Sequence, residues 1–434
     1  MAMGGMMALM MLLAQGGASD VLDLVDSASY WKAQDVERTV AALTAQLDAK
    51  DVVGARAASV RNLMAIRALG ELKDKAALER LKRLVNDPAP FVSDYAKQAI
   101  ASIEGVAYRR APVSPEKMKS DLALLPTGCA AVLQTSVSGG APVSYDKVFE
   151  AMKATIPQGD QAELDRMREK ITEQLIRLTD ATGNFRIEGV TVGVAGDIGD
   201  HSGFVVVIGR GLYDAAAMRE ALEANTRQDP ERVEDVEVYF LDRNAALACP
   251  SNDRFILIAG PNREVLPVQQ VLAALKTGKG GIDSDADMNA LLASVDRTKR
   301  LWAAMKVTEA YREAEVLEPF DTLTLTGEEK DGQTLLTIVA RGKDADAVKA
   351  AVDTFEKGRQ EALDQMKEAP DEVKAMMQNI VDLVESVKTR IDGAQVTLTA
   401  AFKGGSVEGL MLPYFGVQRS RPAMRQEVRP APME

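Results

Sequence analysis

The chain has 434 residues, enough for two or three domains, and its 46% hydrophobic and 27% charged content is that of an ordinary globular protein, neither disordered nor fibrous. A formal net charge of −12 argues against a nucleic-acid partner, because the phosphate backbone is repelled and the body of the chain shows no basic patch to override the total. One His and two Cys without a CxxC pair exclude ordinary zinc sites.

The chain begins MAMGGMMALMMLLAQGGA. Its apolar block Met6 to Ala14 falls far short of the ~20 residues of a membrane span. Gly16 and Ala18 place small residues at minus three and minus one, which predicts a secretory signal over residues 1–18 cleaved before Ser19. The n-region carries no Lys or Arg, and without cleavage the N-terminus reads as a Met-rich start of a cytoplasmic chain. With export, the protein is periplasmic or secreted.

From Gln34 to Glu104 the pattern is almost wholly helical, with Val36 to Leu47 as a leading helix. At a spacing of 31 residues Ala65 matches Ala96, Ala68 matches Ala99, Leu69 matches Ile100 and Leu72 matches Ile103. The segment VRNLMAIRALGELKDKAALERLKRLVNDPAPFVSDYAKQAIASIEG thus resembles HEAT-type repeats, about two of them. The resemblance implies a helical module, residues 19–108, that offers a surface to protein partners. So few units also have to pack on the domain C-terminal to them. Nothing supplies the chromophore site of the HEAT-like bilin lyase group.

Residues 109–116, RRAPVSPE, read as a linker, and 117–415 as the main domain. Leu122 to Val137 suggests its first strand, Ser144 to Ile156 a helix, and Leu164, Met167, Ile171, Leu175 and Leu178 the stripe of a longer one. Three stretches then repeat one plan: Phe185 to Asn225, Val236 to Lys276 and Phe320 to Gly358. Each gives an alternating apolar run, a polar turn, a second apolar run ending at Gly or Pro, and an amphipathic helix. Asp214, Asn262 and Asp344 stand where N-caps belong. A sheet face and a helix stripe of this kind must bury each other, so the fold class is α+β: a mainly antiparallel sheet of β-β-α units with long covering helices.

Between the second and third units come Asp283 to Ser294, a strand at Leu301 to Val307 and a short helix. After the third, a long helix pair breaks at Pro370, with Val373, Met376, Met377, Ile380, Val384, Val387 and Ile391 on one face. Val396 to Phe402 and Val407 to Leu412 predict a closing hairpin about KGG, and residues 416–434 a disordered tail. The middle of the domain, through FILIAGPNREVLPVQQVLAAL and IDSDADMNALLASVDRTKRLWAAMKV, also resembles a family of bacterial exported or membrane-anchored proteins of unknown function. That likeness spans about Val190 to Leu363 and implies an envelope location and no activity.

Candidate chemistry is thin. Asp283, Asp285 and Asp287 have alternate carboxylates like a calcium loop, but Met288 and Ser294 stand where Gly and Glu are required, and N-capping is the simpler account. Ser144-Tyr145-Asp146-Lys147, Ser251-Asn252-Asp253 and Lys276-Thr277-Gly278 follow the order of penicillin-recognising enzymes, yet the last caps a helix instead of lining a strand edge. His201 lies in a turn with Asp197 and Asp200, so no Ser-His-Asp triad is available. Arg210-Gly211 and Arg341-Gly342 recur at strand-to-helix joints, where an Arg could hold an anion or serve the fold. GKGG after Thr277 lacks the upstream Gly of a phosphate loop, and Met366, Met376 and Met377 read as core filler. Cys129 and Cys249 lie in strand-like runs, joined or as buried thiols.

No catalytic, cofactor or metal residue is assigned. The function read from the sequence is an exported, non-catalytic binding or scaffold protein of the cell envelope, with a protein partner and no integral membrane span. The alternative is a hydrolase that uses carboxylates alone, as paired acid and base.

Overall fold

A computed structural model describes residues 60–106, 108, 115–136, 185–196, 203–225, 229–242, 244–312, 317–330, 333–368 and 381–403. The signal, the leading helix, the expected helices at 144–156 and 164–178, the His201 turn, the stripe at 373–380, the strand at 407–412 and the tail lie outside these residues.

The fold is α+β. Helices α1 (Val60–Glu71), α2 (Leu78–Leu84) and α3 (Pro90–Glu104) come first. Their apolar residues recur at three and four, so Leu63, Met64, Ile66, Leu69, Leu81, Phe91, Val92 and Tyr95 form one core. Gly70 lets α1 approach α3, since a Cβ there would press on Ala99, and Ser102 Oγ donates to the Gly70 carbonyl at 2.9 Å. The 31-residue correspondence fails at its last pair. Ile103 is buried, but Leu72 lies past the end of α1 and is 56% exposed.

Helix α4 (Pro115–Ser120) begins inside the expected linker, because Pro115 sits at a helix start where a missing N–H costs nothing. Residues Leu122–Leu124 form a 3-10 turn, so the first strand starts later than its apolar run, at β1 (Cys129–Ser136). Then come β2 (Phe185–Ala195), β3 (Phe204–Tyr213), α5 (Ala215–Asn225), β4 (Glu231–Val233), β5 (Val236–Asp242), β6 (Ala245–Ser251), β7 (Arg254–Ala259) and α6 (Val268–Thr277). The second expected unit therefore holds three strands before its helix: the Cys249 run is a strand of its own. Next are α7 (Ala286–Ala293), β8 (Leu301–Lys306), α8 (Glu309–Arg312), β9 (Phe320–Lys330), β10 (Gln333–Gly342), α9 (Ala345–Glu368), β11 (Lys388–Asp392) and β12 (Gln395–Lys403). The expected helical stripe ends early, because Ile391 belongs to β11. The turn at Gly393, φ 57°, makes the closing hairpin from β11 and β12.

All twelve strands form one sheet in the order β11-β12-β10-β9-β8-β1-β2-β3-β7-β6-β5-β4, antiparallel at each junction. One line of opposed residues, Leu257, Val207, Val192, Leu133, Ala303, Leu325, Ile338 and Leu398, crosses eight strands on a single face. Helix α5 packs on one end of this face beside Val205, Val207 and Leu257. Helix α9 packs on the other end, with Val348 and Val352 against Ala340 and Val396. The opposite face carries Val206, Ile208, Ile258 and Trp302 under Leu122, Leu124, α6 and α7. Burying that set of apolar side chains, at about 1.5–3 kcal/mol for each aliphatic one, is the main stabilising term of this half. Among the described residues no helix is long and apolar enough to cross a membrane.

Candidate functional site

The densest buried charge lies where β3 ends and β7 begins, beneath α4. Arg210 and Arg254 oppose each other across these strands. The Arg210 side chain points to the same face as Ile208, where Asp121, fully buried after α4, receives it. Arg210 Nε donates to Asp121 Oδ2 at 2.8 Å and Nη2 to Oδ1 at 2.7 Å, a two-pronged pair. Nη2 also donates to the Lys117 carbonyl and Ser120 Oγ, both at 3.2 Å, and Nη1 reaches Asp253 Oδ2 at 3.5 Å. At the rim Lys117 Nζ donates to Asp253 Oδ2 at 3.0 Å and Ser251 Oγ to Oδ1 at 2.7 Å. Arg254 Nε is buried without a hydrogen bond, 3.4 Å from Asp121 Oδ1.

The electrostatics are set by this packing. Burial pushes the Asp121 carboxyl up, opposed by the Arg210 guanidinium and then by Arg254. Burial also draws Arg254 down, against the pull of Asp121. Asp253 is different: burial works to raise it, but the Ser251 hydroxyl and Lys117 together hold it below the usual carboxylate range. Two carboxylates do meet here, yet both accept from Arg210. A general acid and base pair needs one carboxyl free to give a proton and one free to take it, so this pair is a clamp. It fastens α4 and the turn after it to the sheet.

A second clamp fastens the helical module. Arg186 on β2, almost wholly buried, donates to Asp94 Oδ2 of α3 at 2.6 Å and lies over the Phe91 ring, 5.6 Å from its centroid. Tyr108 donates to Asp94 Oδ1 at 2.6 Å, and Leu212 adds an apolar contact to the module's core.

Of the residues singled out by sequence, those whose contacts are described serve structural roles. Asp285 accepts from the Met288 N–H at 2.9 Å as the N-cap of α7 and from Lys306 Nζ at 2.7 Å. Among the described residues no three His, Cys, Asp or Glu side chains gather to hold a metal ion. Asp214 and Asp344 cap α5 and α9 through the N–H groups two and three residues on. Asn262 caps only the 3-10 turn Arg263–Val265, since Pro267 stands before α6. In Ser251-Asn252-Asp253, Asn252 accepts from the Ala215 N–H at 3.0 Å and Asp253 joins the clamp. Lys276 pairs with Glu234 and Asp235, and Gly278 closes α6 at φ 64°. Ser144 to Lys147, His201, Asp197 and Asp200 lie outside the described residues.

Both cysteines are free, and three strands separate β1 from β6. Burial pushes the Cys129 thiol up to about 12 and that of Cys249 to about 11, so neither is a thiolate at neutral pH. Arg341 is exposed and donates to Gln395 Oε1 at 2.9 Å. Sequence reasoning missed Asp121, Arg186 and Arg254. The only available signal was a lone Asp at the head of the apolar run LALL, which reads equally well as a helix cap.

No family model matches the chain, and no curated protein matches it. It is similar in structure to TP0453 in crystal form III, with a TM-score of 0.37 and 11% identity over 67% of this chain and 97% of that one. Crystal form IV of TP0453 gives a TM-score of 0.36 and 10% identity over 68% and 95%, and crystal form I gives 0.35 and 12% over 71% and 98%. Likeness at this level carries no activity from one protein to the other.

Proposed function

We propose that this chain is an exported, non-catalytic binding or scaffold protein of the cell envelope, which engages a protein partner through its helical module. The observation that carries the reading is how the polar side chains are used. Arg210 and Asp121, Arg186 and Asp94, Asp285 and Lys306 each complete one another, so the described polar clusters serve as joints between elements. The HEAT-like resemblance, the signal-like N-terminus and the exported-family rhythm of residues 190–363 support the same reading.

The module also offers an apolar contact. Its C-terminal helix ends lie together, as Ser102 reaches Gly70, and just beyond them stand Leu72, 56% exposed, and Val106, 62% exposed. Exposed large aliphatic side chains at one end of a helical layer favour a protein partner. The Arg186–Asp94 pair ties the module to β2 of the sheet, which suits a scaffold.

The test uses the full chain with a C-terminal tag, captured from an envelope fraction after chemical cross-linking. A mature N-terminus at Ser19 and a cross-linked partner that is lost from Leu72→Asp/Val106→Asp are the expected results. An intact Met1 in the cytoplasmic fraction overturns the export reading. A partner retained at full yield by the double variant overturns the role of the module.

A further inference from the structure

The two edges of the sheet are unlike. At one end β4 has three residues, and Glu231 on it is engaged by Arg263. At the other end β11 runs for five residues, Lys388 to Asp392, and among the described residues no strand lies beyond it. Among the described residues nothing pairs with its outer backbone groups, and natural proteins usually guard such an edge with charge. Here the guard has a particular order. Arg390, Ile391 and Asp392 are all exposed, with Ile391 at 40%. Neither Arg390 nor Asp392 enters an ion pair among the described residues. Ile391 faces the side of the sheet that carries Val396, so it prolongs the apolar face beneath α9 out to the rim.

We infer that β11 is a dimerisation edge, on which a second copy of this chain adds its own β11 antiparallel about Ile391. Opposed residues in an antiparallel pair must both turn their backbone groups to the seam or both away, so their numbers share parity. Placing Ile391 against Ile391 meets that condition and sets Arg390 of each copy against Asp392 of the other. Thr389 then falls opposite Gly393. The two ion pairs are reciprocal, as a two-fold axis demands, and the two Ile side chains cover each other on the opposite face. The neighbouring register, with Lys388 against Asp392, would bring Arg390 onto Arg390, so the charges select one alignment. The open end of the sheet is then closed within a pair of chains, and β4, short and engaged, is left as the outer edge on both sides.

Sedimentation of the full chain over a concentration series tests this. The wild type is expected to dimerise. Arg390→Asp sets like charges opposite each other twice and weakens the dimer by about tenfold or more. Arg390→Asp with Asp392→Arg restores the pairs in reversed order and returns wild-type association. Both residues are exposed, so the fold tolerates the changes. Ile391→Cys forms an intermolecular disulfide under mild oxidation, while the buried Cys129 and Cys249 keep the wild type free of it. A wild type that stays monomeric at every concentration overturns the inference. So does a dimer indifferent to Arg390→Asp, or a double variant that fails to recover.

Discussion

The ends of β3 and β10 carry the same two letters, Arg-Gly, at the same joint before a covering helix, and the two arginines meet opposite fates. Arg210 is buried and bound by Asp121, while Arg341 lies in solvent against Gln395. Their glycines, by contrast, behave alike. A Cβ on Gly211 would overlap the Arg186 carbonyl oxygen, and one on Gly342 the Pro319 carbonyl oxygen. The backbone of the joint is thus common to both copies, and the charge on it is put to use only where α4 and Asp121 lie over that face of the sheet. Recurrence in the sequence marks the shared backbone and says nothing of the use to which a side chain is put.

The sharpest way to break this comparison is to remove the acceptors. Asp121→Ala leaves Arg210 buried and without its two-pronged partner, and is expected to cost about 3–5 kcal/mol in denaturant unfolding. Gln395→Ala, the matching change at Arg341, is expected to stay within about 0.5 kcal/mol. Equal effects would sink the distinction drawn between the joints. Next in size, Gly211→Ala and Gly342→Ala should each destabilise by about 1–3 kcal/mol, as overpacking against fixed backbone does. A joint that tolerates Ala without loss would show that the close approach is not required there.

The smallest effect is one of pH, and in the covered half it centres on Asp285. The Lys306 ammonium and then the Met288 N–H hold the Asp285 carboxyl below its ordinary value. A carboxyl depressed on folding contributes stability that is complete above the unfolded value, about 3.9, and is lost as pH falls through the folded one. Acid unfolding should therefore steepen below about pH 4, and Lys306→Met should flatten that limb with little change at neutral pH. An unaltered acid limb in the variant would remove Asp285 from the account.

Period and capping are local, and they were legible. The runs Val190, Val192, Val194 and Leu323, Leu325 became strands, and Asp214 and Asp344 became caps, because alternation and capping depend on residues a few positions apart. The misreadings also have local causes. Ile391 continues a helical stripe that the turn at Gly393 converts into a strand, and Pro115 reads as a linker residue until its neighbours show it opening a helix. The candidate site was not legible. Asp121 stands 89 residues before the Arg210 that it binds, and no spacing rule connects either of them to Arg254.

What the sequence determined by itself is the type of most described elements, since each buries a stripe or face written in its own few residues. What the tertiary structure decided is which faces are covered, and with that which charges are buried and paired. Antiparallel pairing brought Arg210 beside Arg254, and the packing of α4 on that one half set Asp121 against them. Burial is a property of neighbours brought from far along the chain, and neighbours of that kind leave no period in the sequence to be read.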